Sequence, residues 1–131
     1  MAQTVKAPIA LQDFPGEDVF LIDAFCSAAF RLMADFGAQR GSDLAEVYAG
    51  AAGFMAGNAV SQHQEGFGTQ PETAKEIVRA RIVMEHSAYL DGIQTADPDT
   101  AAAELQRFTQ DVTFCNRRLR AYENAINKAK N

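Results

Sequence analysis

Two histidines and two cysteines are the side chains of this chain best suited to metal binding or nucleophilic chemistry. A carboxylate-bridged di-iron centre in a helical bundle needs Glu-x-x-His pairs on facing helices. Neither His63 nor His86 has a glutamate three residues before it, which excludes that centre. A metal- or haem-dependent enzyme that uses His63, His86 or the cysteines is the weakest alternative, since no CxxCH haem-attachment motif is present. We expect no catalytic residues, no metal site and no cofactor.

Cys26 and Cys115 share no CxxC or other ligand spacing, which argues against a disulfide framework and a zinc finger. Both cysteines fall on apolar seams of predicted helices. A thiol in such a place is usually an inert, small hydrophobic group. We therefore predict that both are reduced and buried and that neither is a nucleophile.

Gly50, Gly53 and Gly57 are spaced by three and four residues and would share one face of a helix. Each glycine costs about 1 kcal/mol relative to alanine inside a helix, so a compensating interaction is expected. We interpret this stripe as a face for close helix packing, within the chain or between subunits. The alternatives are a ligand surface, with an apolar pocket beside the glycines and the 61–70 loop, and a non-helical segment. The residues assigned to this face or pocket are Gly50, Gly53, Gly57, Phe54, His63 and Phe67.

Arg117, Arg118 and Arg120 form the densest basic cluster of the sequence. Contact with an anion is one interpretation. We favour salt bridges to acidic side chains elsewhere in the molecule or in a symmetry-related copy. Cations near the C-terminal end of a helix also interact favourably with the helix dipole. Because an isolated surface ion pair contributes about 0 to 1 kcal/mol, Arg118→Ala is expected to leave the stability almost unchanged.

The chain carries a net charge of −5, from 17 acidic and 12 basic side chains. This charge opposes broad, non-specific binding to nucleic acid or to an anionic membrane surface. The first residues lack the apolar run of a signal peptide, and no stretch of about 20 residues suits a bilayer span. We expect a cytoplasmic protein that binds neither membrane nor nucleic acid.

Alanine is the commonest residue and no long stretch alternates apolar with polar residues, which favours helices over strands. Helix starts are indicated by Ser42 and Asp43, by Pro71, and most clearly by Asp97 and Pro98. We predict one all-α domain, a four-helix bundle with antiparallel helices and a long C-terminal helix, preceded by an extended or partly ordered arm over 1–12. The helices are expected near 15–37, 43–60, 71–90 and 98–128, with a loop over 58–70 and a stop at Asp91 and Gly92.

The second predicted helix is apolar or neutral on every side, since no Asp, Glu, Lys or Arg occurs from Val47 to Gln64. A helix without a polar face is normally enclosed by others. We therefore place residues 43–60 at the centre of the assembly or between subunits. Gly53→Leu is expected to destabilise strongly, by about 1 to 3 kcal/mol or more.

The last predicted helix carries an apolar residue at every third or fourth position from Ala101 to Ile126, a repeat typical of a helix that lies along a neighbour. It would be about 45 Å long against about 27 Å for the second helix, so its end would overhang. The overhanging seam of Leu119, Tyr122 and Ile126 is predicted to be covered by the N-terminal arm or by a second copy of the chain.

The sequence therefore favours a non-enzymatic helical protein of interaction or assembly that forms a homodimer. The overhanging seam, the glycine face and the lack of a catalytic constellation all support this hypothesis. The alternative is a small-molecule-binding helical module with an apolar pocket beside the second helix.

Overall fold

A computed structural model describes residues 19–130, which form four packed helices. They are α1 (Phe20–Gln39), α2 (Leu44–Phe67), α3 (Pro71–Ile93) and α4 (Pro98–Lys130). The predicted all-α fold with a long C-terminal helix is confirmed. The predicted arm over 1–12 and the first residues of the predicted first helix lie outside the described residues. No helix within residues 19–130 is long and apolar enough to cross a bilayer.

Local sequence signals set the starts of α3 and α4. Pro71 and Pro98 are the first residues of these helices. Proline suits this position because a backbone N–H there would have no acceptor within the helix. The Asp97 carboxylate accepts a hydrogen bond from the Thr100 hydroxyl one turn into α4. Both starts lie where the sequence predicts them.

The predicted loop over 58–70 is wrong, because α2 continues through most of it. Two polar side chains in this stretch point inward and have partners. Gln62 donates to the Asp23 carboxylate at 2.8 Å, and the buried His63 ring bonds to the Thr69 hydroxyl at 2.7 Å. The contact of Gln62 with α1 and the burial of His63 outweigh the weak helix propensity of the segment.

The glycines near the C-terminal ends of α2 and α3 have different roles. Gly68 ends α2 in the left-handed conformation, at φ +66°, and donates its N–H to the Gln64 carbonyl at 2.8 Å. The predicted stop at Asp91 and Gly92 is wrong, since both residues lie inside α3. A Cβ at Gly92 would stand 2.5 Å from the Glu104 carboxylate of α4, so this glycine makes room for a neighbouring side chain.

The helix enclosed by the others is α1. Every residue from 22 to 30 is buried, and α1 contacts each of the other three helices. The predicted central position of residues 43–60 is therefore wrong. The reason is apolar area: burying a large side chain such as Phe25 or Phe30 stabilises a protein by about 1.5 to 3 kcal/mol, whereas the alanines and glycines of α2 offer little surface to bury. The buried residues of α2 are Ala52, Met55, Ala59 and His63.

The α1–α2 pair is antiparallel and closely packed. At one end a Cβ on Gly37 would lie 3.1 Å from the Ala45 backbone N, so the two backbones nearly touch. Further along, the Ser27 hydroxyl donates to the Ala52 carbonyl at 2.8 Å in a buried hydrogen bond. Close helix packing thus occurs at Gly37, away from the stripe for which it was predicted.

Cys26 of α1 and Cys115 of α4 form a buried disulfide with their Cα atoms 5.3 Å apart. The prediction of two reduced thiols is wrong. Both cysteines do lie on apolar seams, but those seams face each other in the core. A separation of 89 residues gives no sign of this proximity in the sequence. The bond joins the long last helix to the central one.

Candidate functional site

A groove of about 510 Å³ lies between α1, α2 and α3. The side that α2 contributes is made of small residues and one valine. They are Ala49, Ala52, Ala56, Val60 and the glycines at 53 and 57. Val78 and Ile82 of α3 extend the apolar surface. The result is a groove whose floor is predominantly apolar.

The groove is open because two of its residues lack side chains. A Cβ added at Gly53 or Gly57 would meet no other atom within 4 Å, and the same holds for Gly50. Within residues 19–130 nothing packs against the stripe, so the described helices do not provide the close packing predicted for it, and they give no reason for the strong destabilisation predicted for Gly53→Leu. Packing of this face between subunits stays a prediction. Gly50 is exposed beside the groove without lining it.

Charged side chains stand at the border of the groove. Arg31 of α1 and Lys75 and Arg79 of α3 line it, together with a single acid, Asp35. The Asp35 carboxylate lies 2.9 Å from Nε2 of His86. Cations therefore outnumber acids around this apolar surface.

The partners of the three cations differ. Lys75 lies 3.4 Å from the Glu72 carboxylate in an exposed pair. Arg31 and Arg79 have no acidic partner within residues 19–130 and are exposed to solvent. Their guanidinium groups are thus available to an anion from outside the described part of the chain.

The six residues assigned to a ligand or packing face do not form one site. Gly53 and Gly57 line the groove. Phe54 packs elsewhere, with its ring 5.8 Å from that of Tyr122. His63 is buried, and its ring lies 4.6 Å from that of Phe20 and 4.7 Å from that of Phe67. The groove residues that sequence reasoning missed are the cations, whose placement depends on how α1 and α3 pack.

Two buried polar clusters lie outside the groove: the hydrogen-bonded pair of Tyr89 and Asp111 between α3 and α4, and a larger cluster between α1, α2 and α4 that is centred on the fully buried Asp23. Its carboxylate accepts hydrogen bonds from Nε of Arg118, from the Tyr122 hydroxyl at 2.6 Å and from the Gln62 amide at 2.8 Å. The Arg118 guanidinium also contacts the Tyr122 hydroxyl at 2.9 Å. The charge of Asp23 is therefore compensated by a cation and two further donors, as burial of a carboxylate requires.

Arg118 forms a salt bridge to an acid of another helix, as the sequence favours for the arginine cluster, but the pair is buried. The premise of an isolated surface pair, on which the small effect expected of Arg118→Ala was based, is therefore wrong. The Arg118 side chain is 8% exposed and forms an ion pair with Asp23, whereas Arg117 and Arg120 point to solvent. A sequence signal for the pair existed: Asp23 stands alone among apolar residues of α1, where a carboxylate needs a partner. The identity of the partner was not accessible from the sequence.

The tyrosines of the polar clusters are held in their neutral form. Burial, with the hydrogen bond to Asp23, raises the pKa of Tyr122 to about 12. Burial and the neighbouring Asp111 carboxylate, which accepts a 2.6 Å hydrogen bond from Tyr89, raise the pKa of that phenol well above its ordinary range. At neutral pH both phenols are hydrogen-bond donors that hold buried carboxylates in place.

The residues predicted to form a dimer interface on α4 differ in exposure. Leu119 is half-buried and packs against the core, and Tyr122 belongs to the Asp23 cluster. Ile126 is 42% exposed and lies in the last turns of α4, where all side chains from 123 to 130 are exposed. Their role in association stays a prediction.

No group of three or more His, Cys, Asp or Glu side chains within residues 19–130 is arranged to hold a metal ion. Comparisons of the chain with protein-family models, with curated proteins and with solved structures found no match. Function is therefore inferred from the geometry of the groove and of the two polar clusters.

Proposed function

We propose that the protein is a non-enzymatic binding module that holds a small molecule with an apolar body in the groove between α1, α2 and α3. The observation that supports this proposal most strongly is the groove of about 510 Å³ at Gly53 and Gly57. Ligand sites in proteins have volumes of about 300 to 1,000 Å³ and are lined mainly by apolar groups with a few polar ones. The groove has this size and this lining.

The energetics of α2 support the same proposal. Each exposed glycine in a helix costs about 1 kcal/mol relative to alanine. Alanine would fit at Gly53 and Gly57 without touching another described atom. A molecule bound in the space above these two glycines would compensate for their cost in helix stability.

The buried polar groups already have partners inside the protein. Asp23 and Asp111 each accept a hydrogen bond from a tyrosine whose pKa is raised. Both tyrosines stay protonated at neutral pH and use their hydroxyl protons in these hydrogen bonds. These clusters therefore hold helices together and leave the groove as the candidate site.

The test is to fill the groove and measure the binding of an apolar probe. Gly53→Leu places a branched side chain in the groove and should abolish the rise in melting temperature that dodecanol produces with the unmodified protein. Gly50→Leu is the matched control, because Gly50 is equally open but does not line the groove. Unchanged dodecanol binding by Gly53→Leu, or no binding by the unmodified protein, would contradict the proposal.

A second candidate function is a homodimeric interaction protein that associates through α2. Val47 is 63% exposed, and Gly50, Gly53 and Gly57 present bare backbone nearby on a helix surface without charge. Small residues let two backbones approach closely, and a twofold axis would pair the same face of both copies. Such a dimer would cover the exposed apolar surface of α2.

Sedimentation velocity over a wide dilution series tests the dimer. If α2 forms the interface, Val47→Asp should shift the protein to monomer. If the end of α4 forms it, as the sequence predicts, Ile126→Asp should do so instead. A clean monomer of the unmodified protein at every concentration would exclude both arrangements.

A further inference from the structure

We infer, on the basis of the proposed binding function, that the ligand of the groove is a free single-chain amphiphile with an anionic head, whose apolar body lies along α2 while its head pairs with Arg31 and Arg79. The two arginines come from different helices and both line the groove. Neither has an acidic partner within residues 19–130. Guanidinium groups bind carboxylates and phosphates through paired hydrogen bonds, so an anionic head matches them.

The charge of the groove is opposite in sign to that of the whole molecule. The chain has a net charge of −5, whereas the groove is lined by three cations and one acid. That acid, Asp35, already faces the His86 ring at 2.9 Å. The cationic border is thus a local feature of the groove and supports recognition of an anion there.

The apolar surface is elongated in a way that suits a chain. The groove-lining residues of α2 run from Ala49 to Val60, about 16 Å along the helix axis at about 1.5 Å per residue. Glycines at 53 and 57 lower the middle of this track, and Val78 and Ile82 flank it on α3. An extended alkyl chain of medium length fits such a track better than a compact, polar metabolite.

The experiment compares dodecanoate with dodecanol by isothermal titration calorimetry, at concentrations below those at which dodecanoate forms micelles. The two probes share an alkyl chain and differ in the charged head. The unmodified protein should bind dodecanoate about tenfold more tightly than dodecanol, the effect expected of two partly exposed charge pairs. Raising the ionic strength to about 1 M, where the Debye length is about 3 Å, should remove most of that difference.

Substitutions test whether Arg31 and Arg79 cause the preference for dodecanoate over dodecanol. The double variant Arg31→Gln, Arg79→Gln should weaken dodecanoate binding about tenfold and leave dodecanol binding unchanged. Arg120→Gln is the matched control, since Arg120 is an exposed arginine of α4 outside the groove. It should change neither affinity.

The outcomes separate the two proposals. Equal affinity of the unmodified protein for both probes, at low salt, would overturn the anionic head while the groove remained a binding site. Failure to bind either probe would overturn the binding function itself. Binding of anionic vesicles without binding of free dodecanoate would identify the cationic border as a membrane-surface contact and would also overturn the inference.

Discussion

Removal of the Cys26–Cys115 disulfide should lower the free energy of unfolding by about 4.6 kcal/mol. The two cysteines are separated by 89 residues, so the bond closes most of the chain into one loop. In the chain-entropy treatment, a loop of this length removes about 15.5 cal/mol/K from the entropy of the unfolded state, which gives that free energy at 25 °C. The bond therefore accounts for a large part of the 5 to 15 kcal/mol typical of a domain.

The same loss can be expressed as a melting temperature. A chain of 131 residues has an unfolding entropy of about 275 cal/mol/K, from about 2.1 cal/mol/K per residue. Division of the free energy by this entropy predicts a fall of about 17 °C. The shift is far larger than that of an ordinary surface substitution.

Urea titration followed by circular dichroism measures the effect on the double variant Cys26→Ala, Cys115→Ala. A reducing phosphine should lower the unfolding midpoint of the unmodified protein toward that of the variant. The variant itself should not respond to the reductant, which controls for other effects of the reagent. Alanine keeps both positions apolar, so the comparison isolates the cross-link as far as a substitution can.

Two results would refute this reasoning. The first is an unchanged midpoint when the bond is removed. The second is the reaction of two thiols per chain with an alkylating reagent after unfolding in the absence of reductant, since this would mean that no disulfide exists. Thiol state in acid-quenched cells also bears on location: disulfides are rare in the cytosol, so an oxidised pair would count against the predicted cytoplasmic location.

Three further predictions follow from the described contacts. Arg118→Ala should lower the free energy of unfolding by about 3 to 5 kcal/mol, because it leaves the Asp23 carboxylate buried without its cation. Substitution of the exposed neighbour, Arg117→Ala, should change this free energy by less than about 0.5 kcal/mol. Similar urea midpoints for the two variants would contradict a buried pair. Gly53→Ala should raise the free energy of unfolding by about 1 kcal/mol, since the added Cβ meets no described atom, and a loss would mean that a partner or residues 1–18 pack there. The contribution of Tyr122 to stability should be constant up to about pH 10 and be lost between pH 10 and 12, because the unfolded chain releases this proton first and the folded pKa is about 12. Tyr89, whose pKa is also raised, adds to the decline of the unmodified protein and of Tyr122→Phe alike. Urea titrations at successive pH values should therefore show a shallower decline for Tyr122→Phe, and equal declines would refute this assignment.

The sequence determined the number of helices and the starts of two of them. Proline at the first position of α3 and of α4, with Asp97 as an acceptor, acts through local backbone geometry. Such signals do not depend on distant residues. The apolar repeat of α4 likewise identified the seam that meets the core at Phe108, Val112 and Cys115.

The predicted end of α2 was wrong because contacts with other parts of the protein, and not local helix propensity, determine where this helix ends. The glutamine- and glycine-containing stretch after Asn58 is a poor helix former by itself. In the folded chain Gln62 binds Asp23 and His63 is buried between aromatic rings. Asp23 and Phe20, which lie on α1, are about 40 residues away in sequence, and a local helix propensity cannot register contacts with them.

Tertiary structure alone decided which helix is central, whether the two cysteines pair and where the groove opens. The alanines and glycines of α2 look apolar in the sequence whether the folded chain buries or exposes them. The phenylalanines of α1 take the central position because they bury more apolar area than alanine or glycine does. The Cys26–Cys115 bond and the Arg118–Asp23 ion pair require atoms to meet across 89 and 95 residues. Residue types predict that a buried acid needs a cation, but only the packing of α1 against α4 determines which cation it is.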